Sequence, residues 1–199
     1  MNAVLHFQLR QDNETDLNGT NFRQLTPGNQ EQYFRCTPDG VWLLYFDFAE
    51  GSVKKILRAG GIPEILIPGS LRPDNQFDVT RDSKSLIAAL HSSGETMLVS
   101  VSIAGGQLTR KFPLRPESNY ITVTPDGKSI AYAATDHGVM NLWVQSLSDG
   151  PALQLSRFVQ GPGPGKSLRN FAWSPDGKQL ALVRVTASYD VVLLQDQSK

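Results

Sequence analysis

The chain has 199 residues, 40% of them hydrophobic, and its 19 basic side chains balance 19 acidic ones. That composition suits a packed globular chain and excludes a mostly disordered one. Zero formal net charge lacks the basic excess with which nucleic-acid binders neutralise phosphates, so no nucleic-acid partner is expected. Apolar runs such as 85–90 and 97–104 fall far short of the ~20 residues of a bilayer-crossing helix, so no membrane role is expected of this chain. The first residues lack a charged-then-apolar leader pattern, which says little for an excised domain; a soluble protein is expected, cytoplasmic or periplasmic. The single Cys36 forms no internal disulfide and no thiolate metal site, and is expected to be buried and inert.

In chain order, the first predicted element is Asn2-Ala3-Val4-Leu5-His6-Phe7-Gln8-Leu9, which matches a later strand, Asn141-Leu142-Trp143-Val144-Gln145-Ser146-Leu147. Phe22-Arg23-Gln24-Leu25-Thr26 matches Ala152-Leu153-Gln154-Leu155-Ser156 in the same way. A unit then begins that recurs four times, marked by Thr37-Pro38-Asp39-Gly40, Thr80-Arg81-Asp82-Ser83, Thr124-Pro125-Asp126-Gly127 and Ser174-Pro175-Asp176-Gly177. The hydroxyl residues are 43 (37 to 80), 44 (80 to 124) and 50 (124 to 174) positions apart, the last interval enlarged by the loop Gln160-Gly161-Pro162-Gly163-Pro164-Gly165. Each mark predicts a tight hairpin: Pro presets the first corner, Asp tolerates the second, and Gly takes the left-handed position.

A short apolar first strand precedes every hairpin. A second strand rich in β-formers follows at 41–47, 85–91, 129–135 and 179–186. Third strands are expected at 52–58, 96–103, 140–147 and 190–195, and fourth strands at 64–67, 108–112 and 153–156. The total is seventeen: two before the first complete unit, twelve in three complete units, and three at the end. No stretch keeps helical periodicity. A unit of about 44 residues with four antiparallel strands has the length of a propeller blade, and a blade hides its two apolar faces only by radial stacking on its neighbours. The fold class is all-β, a β-propeller of about four four-stranded blades, spanning 2–26 (partial), 33–68, 76–113, 119–156 and 169–195 (partial), as one domain over 1–199. Four is a small number of blades, so the chain reads as the C-terminal part of a larger propeller, closing alone or completed by a second copy in a homodimer.

The repeated Ser/Thr-Pro-Asp-Gly-Lys hairpin, with Asn141-Leu142-Trp143-Val144 and a Gly turn leading to Leu-Ser/Thr, resembles the TolB-type propeller repeat over about residues 2–195. It is strongest in the last two units and weakest where Arg81-Asp82-Ser83 replaces Pro-Asp-Gly. The closing run Phe171-Ala172-Trp173-Ser174-Pro175-Asp176-Gly177-Lys178 with Asp190-Val191-Val192-Leu193-Leu194 resembles the end of bacterial multidomain regulators, whose propellers follow a kinase or winged-helix domain. Neither domain is in this sequence, so the resemblance implies a protein-interaction or ligand-sensing module, without kinase or DNA-binding activity.

No catalytic constellation stands out. His6, His91 and His137 occupy different repeat positions without metal-ligand spacing, so neither a metal nor another cofactor is expected. No Gly-x-Ser-x-Gly elbow occurs. Gly163-Pro164-Gly165-Lys166-Ser167 mimics a phosphate loop but has Gln160 where the leading Gly belongs, and its prolines remove backbone donors. Asp39, Asp126 and Asp176 are expected to serve their turns, and Trp42, Trp143 and Trp173 to wedge between blades. The candidate contact residues are Arg72 and Asp74, then Arg115 and Glu117, in equivalent Leu-Arg-Pro-acid loops, joined by Arg169 and Asn170 from the last unit. Loops carry function more often than framework strands, and these are expected to frame a channel mouth for a protein partner or small ligand. The alternative is a propeller fragment of an enzyme, either gating a peptidase or acting as a carbohydrate lyase.

Overall fold

A computed structural model of the chain describes residues 3–8, 11–16, 23–26, 28, 30–92, 95–115, 118–148, 150–159, 166–174 and 176–186. Its strands assemble into successive antiparallel sheets. The first holds β1 (Ala3–Gln8), β2 (Gln11–Asp16) and β3 (Arg23–Gln24). Three four-stranded sheets follow: β4 (Glu31–Cys36) to β7 (Glu64–Ile67), with β5 (Trp42–Asp47) and β6 (Ser52–Leu57) between them; β8 (Pro73–Val79), β9 (Ser85–Ser92), β10 (Glu95–Ser102) and β11 (Leu108–Pro113); and β12 (Ser118–Val123), β13 (Ser129–Asp136), β14 (Val139–Ser146) and β15 (Leu153–Gln154). The last is the hairpin of β16 (Lys166–Trp173) and β17 (Leu180–Thr186). Within each four-stranded sheet the order is sequential, as in a meander.

Seventeen strands are present among the described residues, but they are distributed differently from the expectation. Ala3–Gln8 pairs with Gln11–Asp16, and Gln11–Asp16 with Arg23–Gln24. The opening segment therefore holds the second-strand place of its sheet, not the third. The intervening strand was hidden because Gln11-Asp12-Asn13-Glu14-Thr15-Asp16 is polar throughout and carries no apolar alternation. The expected strand at 190–195 lies outside the described residues.

The apolar runs of the second strands are explained by burial on both faces. Along β5, Leu43 and Tyr45 face a cluster with Leu25, Phe34 and Ile56, while Leu44 and Phe46, with Val53 of the same sheet, face the next sheet at Phe77 and Leu90. Along β9, Leu86, Ala88 and Leu90 look back and Ile87 and Ala89 look forward. In β13, Ile130, Tyr132 and Ala134 look back and Ala131 and Ala133 forward. Side chains of period two thus go alternately to two neighbours, and every core cluster lies between consecutive sheets. Trp42, Trp143 and Trp173 each pack in one of these clusters, and Cys36 is half-buried against the first-named one.

The hairpin marks share one hydrogen-bond pattern. The hydroxyls of Thr37, Thr80, Thr124 and Ser174 donate to Asp39, Asp82, Asp126 and Asp176 Oδ1 at 2.5, 2.7, 2.6 and 2.6 Å. The same carboxylate oxygens accept the N–H of Val41, Lys84, Lys128 and Lys178. Gly40, Gly127 and Gly177 close their turns in the left-handed region, where Ser83 stands in the second unit at φ 59°. Ser83 Oγ accepts the N–H of Asp39 from the preceding sheet at 3.0 Å, which the glycines have no side chain to do.

At the outer ends, a cation from one sheet caps a backbone carbonyl of the next. Arg23 Nη2 donates to the Arg58 carbonyl at 2.6 Å, Lys55 Nζ to the Ile103 carbonyl at 2.8 Å, and Arg110 Nη1 to the Leu147 carbonyl at 2.9 Å. Those carbonyls are equivalent, since the N–H of Arg58, Ile103 and Leu147 all return to the start of the neighbouring second strand, at Val41, Lys84 and Lys128. Lys55 is 3% exposed; its ammonium lies 4.1 Å from the Trp42 ring centre and 3.2 Å from Glu64 Oε2, which together offset the loss of water.

Candidate functional site

The first strands β4, β8, β12 and β16 surround one cavity of about 730 Å³. Its wall is built from two repeat positions. Four places before each marking hydroxyl stand Tyr33, Gln76, Tyr120 and Asn170; two places before stand Arg35, Asp78, Thr122 and Ala172. The intervening position holds Phe34, Phe77, Ile121 and Phe171, all buried between sheets. Each first strand also carries a register shift, at Gln32/Arg35, Pro73/Phe77, Asn119/Thr122 and Leu168/Asn170. A bulge re-aims the side chains around it. Tyr33 and Tyr120 sit at these bulges with φ 58° and 59°, a conformation disfavoured for an aromatic residue and held by the surrounding sheet.

Asp78 is the centre of the wall. Its Oδ2 accepts the Thr122 hydroxyl at 2.9 Å and the Val123 N–H at 2.8 Å from the following sheet, and its Oδ1 faces Arg35 Nε of the preceding sheet at 3.6 Å. One carboxylate therefore joins three sheets. Gln76 makes a second tie, its Oε1 accepting the Tyr120 N–H and its Nε2 donating to Asn119 Oδ1 at 3.4 Å.

At the rim, Asp74 Oδ2 lies 3.0 Å from His91 Nε2, and His91 Nδ1 lies 3.0 Å from Thr96 Oγ1. This chain brings the connection between sheets and the β9–β10 hairpin onto one face. The carboxylate meets His91 rather than Arg72. Arg72, after a short 3-10 turn at Gly69–Leu71, adopts φ 50° and its carbonyl accepts the His91 N–H at 3.0 Å. Arg115 lies 3.6 Å over the Trp143 ring, and its carbonyl accepts the Ser118 hydroxyl at 2.6 Å. Burial pushes the nearby Tyr132 hydroxyl up to about 12, against the opposing pull of the Arg115 charge.

The six residues singled out from sequence thus do not form one cluster. Asp74 and Asn170 lie in first strands, not loops, as does the backbone of Arg169; Asn170 lines the cavity. Arg72 is exposed and holds His91 through its carbonyl, Arg115 lies over Trp143 of β14, and Glu117 lies outside the described residues, as does the loop 160–165. Lys166 and Ser167 begin a strand where a phosphate loop requires a helix. His137 lies in the β13–β14 turn, 3.7 Å from Asp136 Oδ1. Among the described residues no three His, Cys, Asp or Glu side chains converge as a metal site. Sequence reasoning missed Arg35, Gln76, Asp78 and Thr122. The available signal was that these two offsets from the hydroxyl mark vary in chemistry from unit to unit while the position between them stays apolar.

Sheets of four antiparallel strands, stacked through both faces with their first strands about one cavity, define a β-propeller. Its form is that of the TolB-type propellers. Similar solved structures include TolB from Acinetobacter baumannii, at TM-score 0.69 and 18% identity over 94% of this chain and 48% of that one. TolB from Agrobacterium tumefaciens matches at 0.63 and 22%, over 83% and 61%. An oligogalacturonate lyase in complex with manganese matches at 0.68 and 15%, over 90% and 54%. This chain therefore spans about half to three-fifths of these proteins, and at such identities the likeness concerns the fold. No protein-family model matches the chain, and no curated protein matches it in sequence. Among the described residues no helix is long and apolar enough to cross a membrane.

Proposed function

We propose that this chain is a non-catalytic binding or sensing propeller of a larger bacterial regulatory protein, contacting a protein segment or small ligand at its channel mouth and the cavity behind it. The observation that carries this reading is the contrast within the repeat. Framework positions recur as apolar residues and hairpin marks, whereas the two cavity-facing positions hold Tyr, Gln and Asn at one and Arg, Asp, Thr and Ala at the other. A cavity of this volume with a few placed polar groups is the ordinary form of a ligand site. The left-handed tyrosines support it, since backbone strain concentrates at functional positions. Selection of binders from a displayed random-peptide library tests the reading. Enrichment that is lost when Asn170 and Tyr33 are replaced by alanine is expected; enrichment indifferent to both refutes it. Parallel Arg72→Ala and Arg115→Ala variants report whether the rim takes part.

One observation favours the enzyme reading: the Asp74–His91–Thr96 chain has the order of an oriented base beside a hydroxyl. Turnover of uronate oligosaccharides or peptides that His91→Ala abolishes would establish it in place of binding alone.

A further inference from the structure

The cavity wall holds three charged side chains among the described residues: Arg35, Arg81 and Asp78. Asp78 is already engaged, accepting three hydrogen bonds and facing Arg35 Nε. Its charge is therefore committed to holding three sheets together. The arginines are not used up. Arg35 donates Nη1 to the Phe34 carbonyl at 2.8 Å and turns its Nε to Asp78, leaving Nη2 without a partner among the described residues, and its side chain is 46% exposed. Arg81 is exposed on the second hairpin, its stem beside Gly127, and its guanidinium has no hydrogen-bond or ion-pair partner among the described residues. The wall has a net positive charge and unclaimed guanidinium donors.

We propose, building on the binding reading above, that the cavity takes an extended acidic peptide, with Arg35 and Arg81 gripping side-chain carboxylates. Guanidinium is planar and meets a carboxylate with two parallel bonds, which an ammonium cannot do. Asn75 and Asn170 stand in the same wall, and a side-chain amide offers both a donor and an acceptor, the pair that a peptide backbone presents. Tyr33 continues the wall outward: 47% exposed, its ring lies 6.0 Å from exposed Phe48 and forms an aromatic shelf at the mouth. An inorganic anion fits less well. Phosphate sites draw on clustered backbone N–H groups, and the first strands spend theirs in the sheets, Val123 giving its own to Asp78.

The test uses the whole chain and fluorescence anisotropy with a short labelled peptide alternating aspartate and glycine. Its asparagine counterpart, inorganic phosphate and an oligouronate are the comparison probes. The acidic peptide should bind at least about ten-fold tighter than the asparagine peptide, a difference of roughly 1.4 kcal/mol. That preference should weaken with added salt. Arg35→Met and Arg81→Met should each cost about ten-fold, Arg35→Lys less, and the double variant should erase the preference. Arg81→Met should leave circular dichroism and melting temperature unchanged, whereas Arg35→Met, which gives up the 3.6 Å contact with Asp78, should keep the circular dichroism and lower the melting temperature by no more than about 4 °C. Equal affinity for the acidic and asparagine peptides overturns the proposal, as does a double variant that keeps the preference. Displacement of the peptide by phosphate or oligouronate at matching concentration overturns the peptide assignment. A peptide library that yields Tyr33-dependent binders without acidic enrichment overturns this proposal and leaves the binding reading standing; a library that yields none overturns both.

Discussion

Replacing Asp78 by alanine is the sharpest test of how the propeller is held at its axis. The substitution removes two charge-assisted hydrogen bonds from the following sheet, the Thr122 hydroxyl at 2.9 Å and the Val123 N–H at 2.8 Å, with a local one from the Val79 N–H at 2.9 Å and the longer contact with Arg35. Val123 is 1% exposed, so its N–H is left with little access to water, whereas Thr122 and Arg35 are rehydrated more easily. A hydrogen bond to a charged group is worth ~1.5–3 kcal/mol and an exposed ion pair ~0–1 kcal/mol. With Asp78 itself 20% exposed, the loss should be about 3 kcal/mol, or a melting temperature lower by roughly 6–12 °C in a chain of this size. Urea denaturation at unchanged slope gives the free energy directly. Asp78→Asn retains an acceptor of the same shape and should restore about half of it. In a double-mutant cycle with Thr122→Val, the coupling should reach about 1 kcal/mol, as touching residues in one network do. A loss below about 1 kcal/mol, or strict additivity with Thr122→Val, would refute the reasoning.

Ser83 combines a left-handed backbone with an inter-sheet hydrogen bond. Ser83→Ala should destabilise by about 1 kcal/mol, while Ser83→Gly should be nearly neutral, because relief of the backbone offsets the lost bond; equal losses in urea melts would count against this. An added Cβ on Gly177, at φ 70°, would sit 2.9 Å from Pro125 Cβ, whereas one on Gly138, at φ 76°, meets nothing within 4 Å. Gly138→Ala should cost ~1 kcal/mol and Gly177→Ala more than twice as much, and equal costs would show that the sheets part freely there. Asp39, Asp82, Asp126 and Asp176 are each held below the ordinary value of 3.8 by the neighbouring hydroxyl first and a backbone N–H second. Their ionised forms favour the folded chain, so this stability is present above about pH 4 and lost as pH falls through the lowered folded values. Denaturation midpoints should drop steeply below that pH in the native chain and more gently in a variant carrying asparagine at all four sites; parallel curves would exclude the turns as the cause.

The hairpins and second strands were legible because their physics is local and repeated. Pro38-Asp39-Gly40 specifies its turn whatever surrounds it, and runs such as Leu86-Ile87-Ala88-Ala89-Leu90 announce a strand buried on both faces. The site was less legible because its partners are about one unit apart in the chain. Asp78 meets Thr122 across a separation of 44 residues and Gln76 meets Tyr120 across the same interval. Arg72-Pro73-Asp74 looked like a self-contained Arg–carboxylate loop, yet His91 captured the acid because the β8–β9 pairing places Pro73 opposite Leu90. Asn170 was singled out as a rim residue and is found on an inner strand, where the bulge between Leu168 and Asn170 accompanies its exposure to the cavity.

The outer clasps reach main-chain oxygens, so the receiving unit places no demand on its own side chain there: Arg58, Ile103 and Leu147 serve alike. The donor is in every instance the earlier unit. Such a joint has a direction but no lock and key, and it survives substitution on the receiving side. Excising or duplicating one whole unit would bring a donor to an oxygen of the same kind, which makes the periphery tolerant of changes in unit number while the polar ties near the axis, each made by a particular pair, resist them.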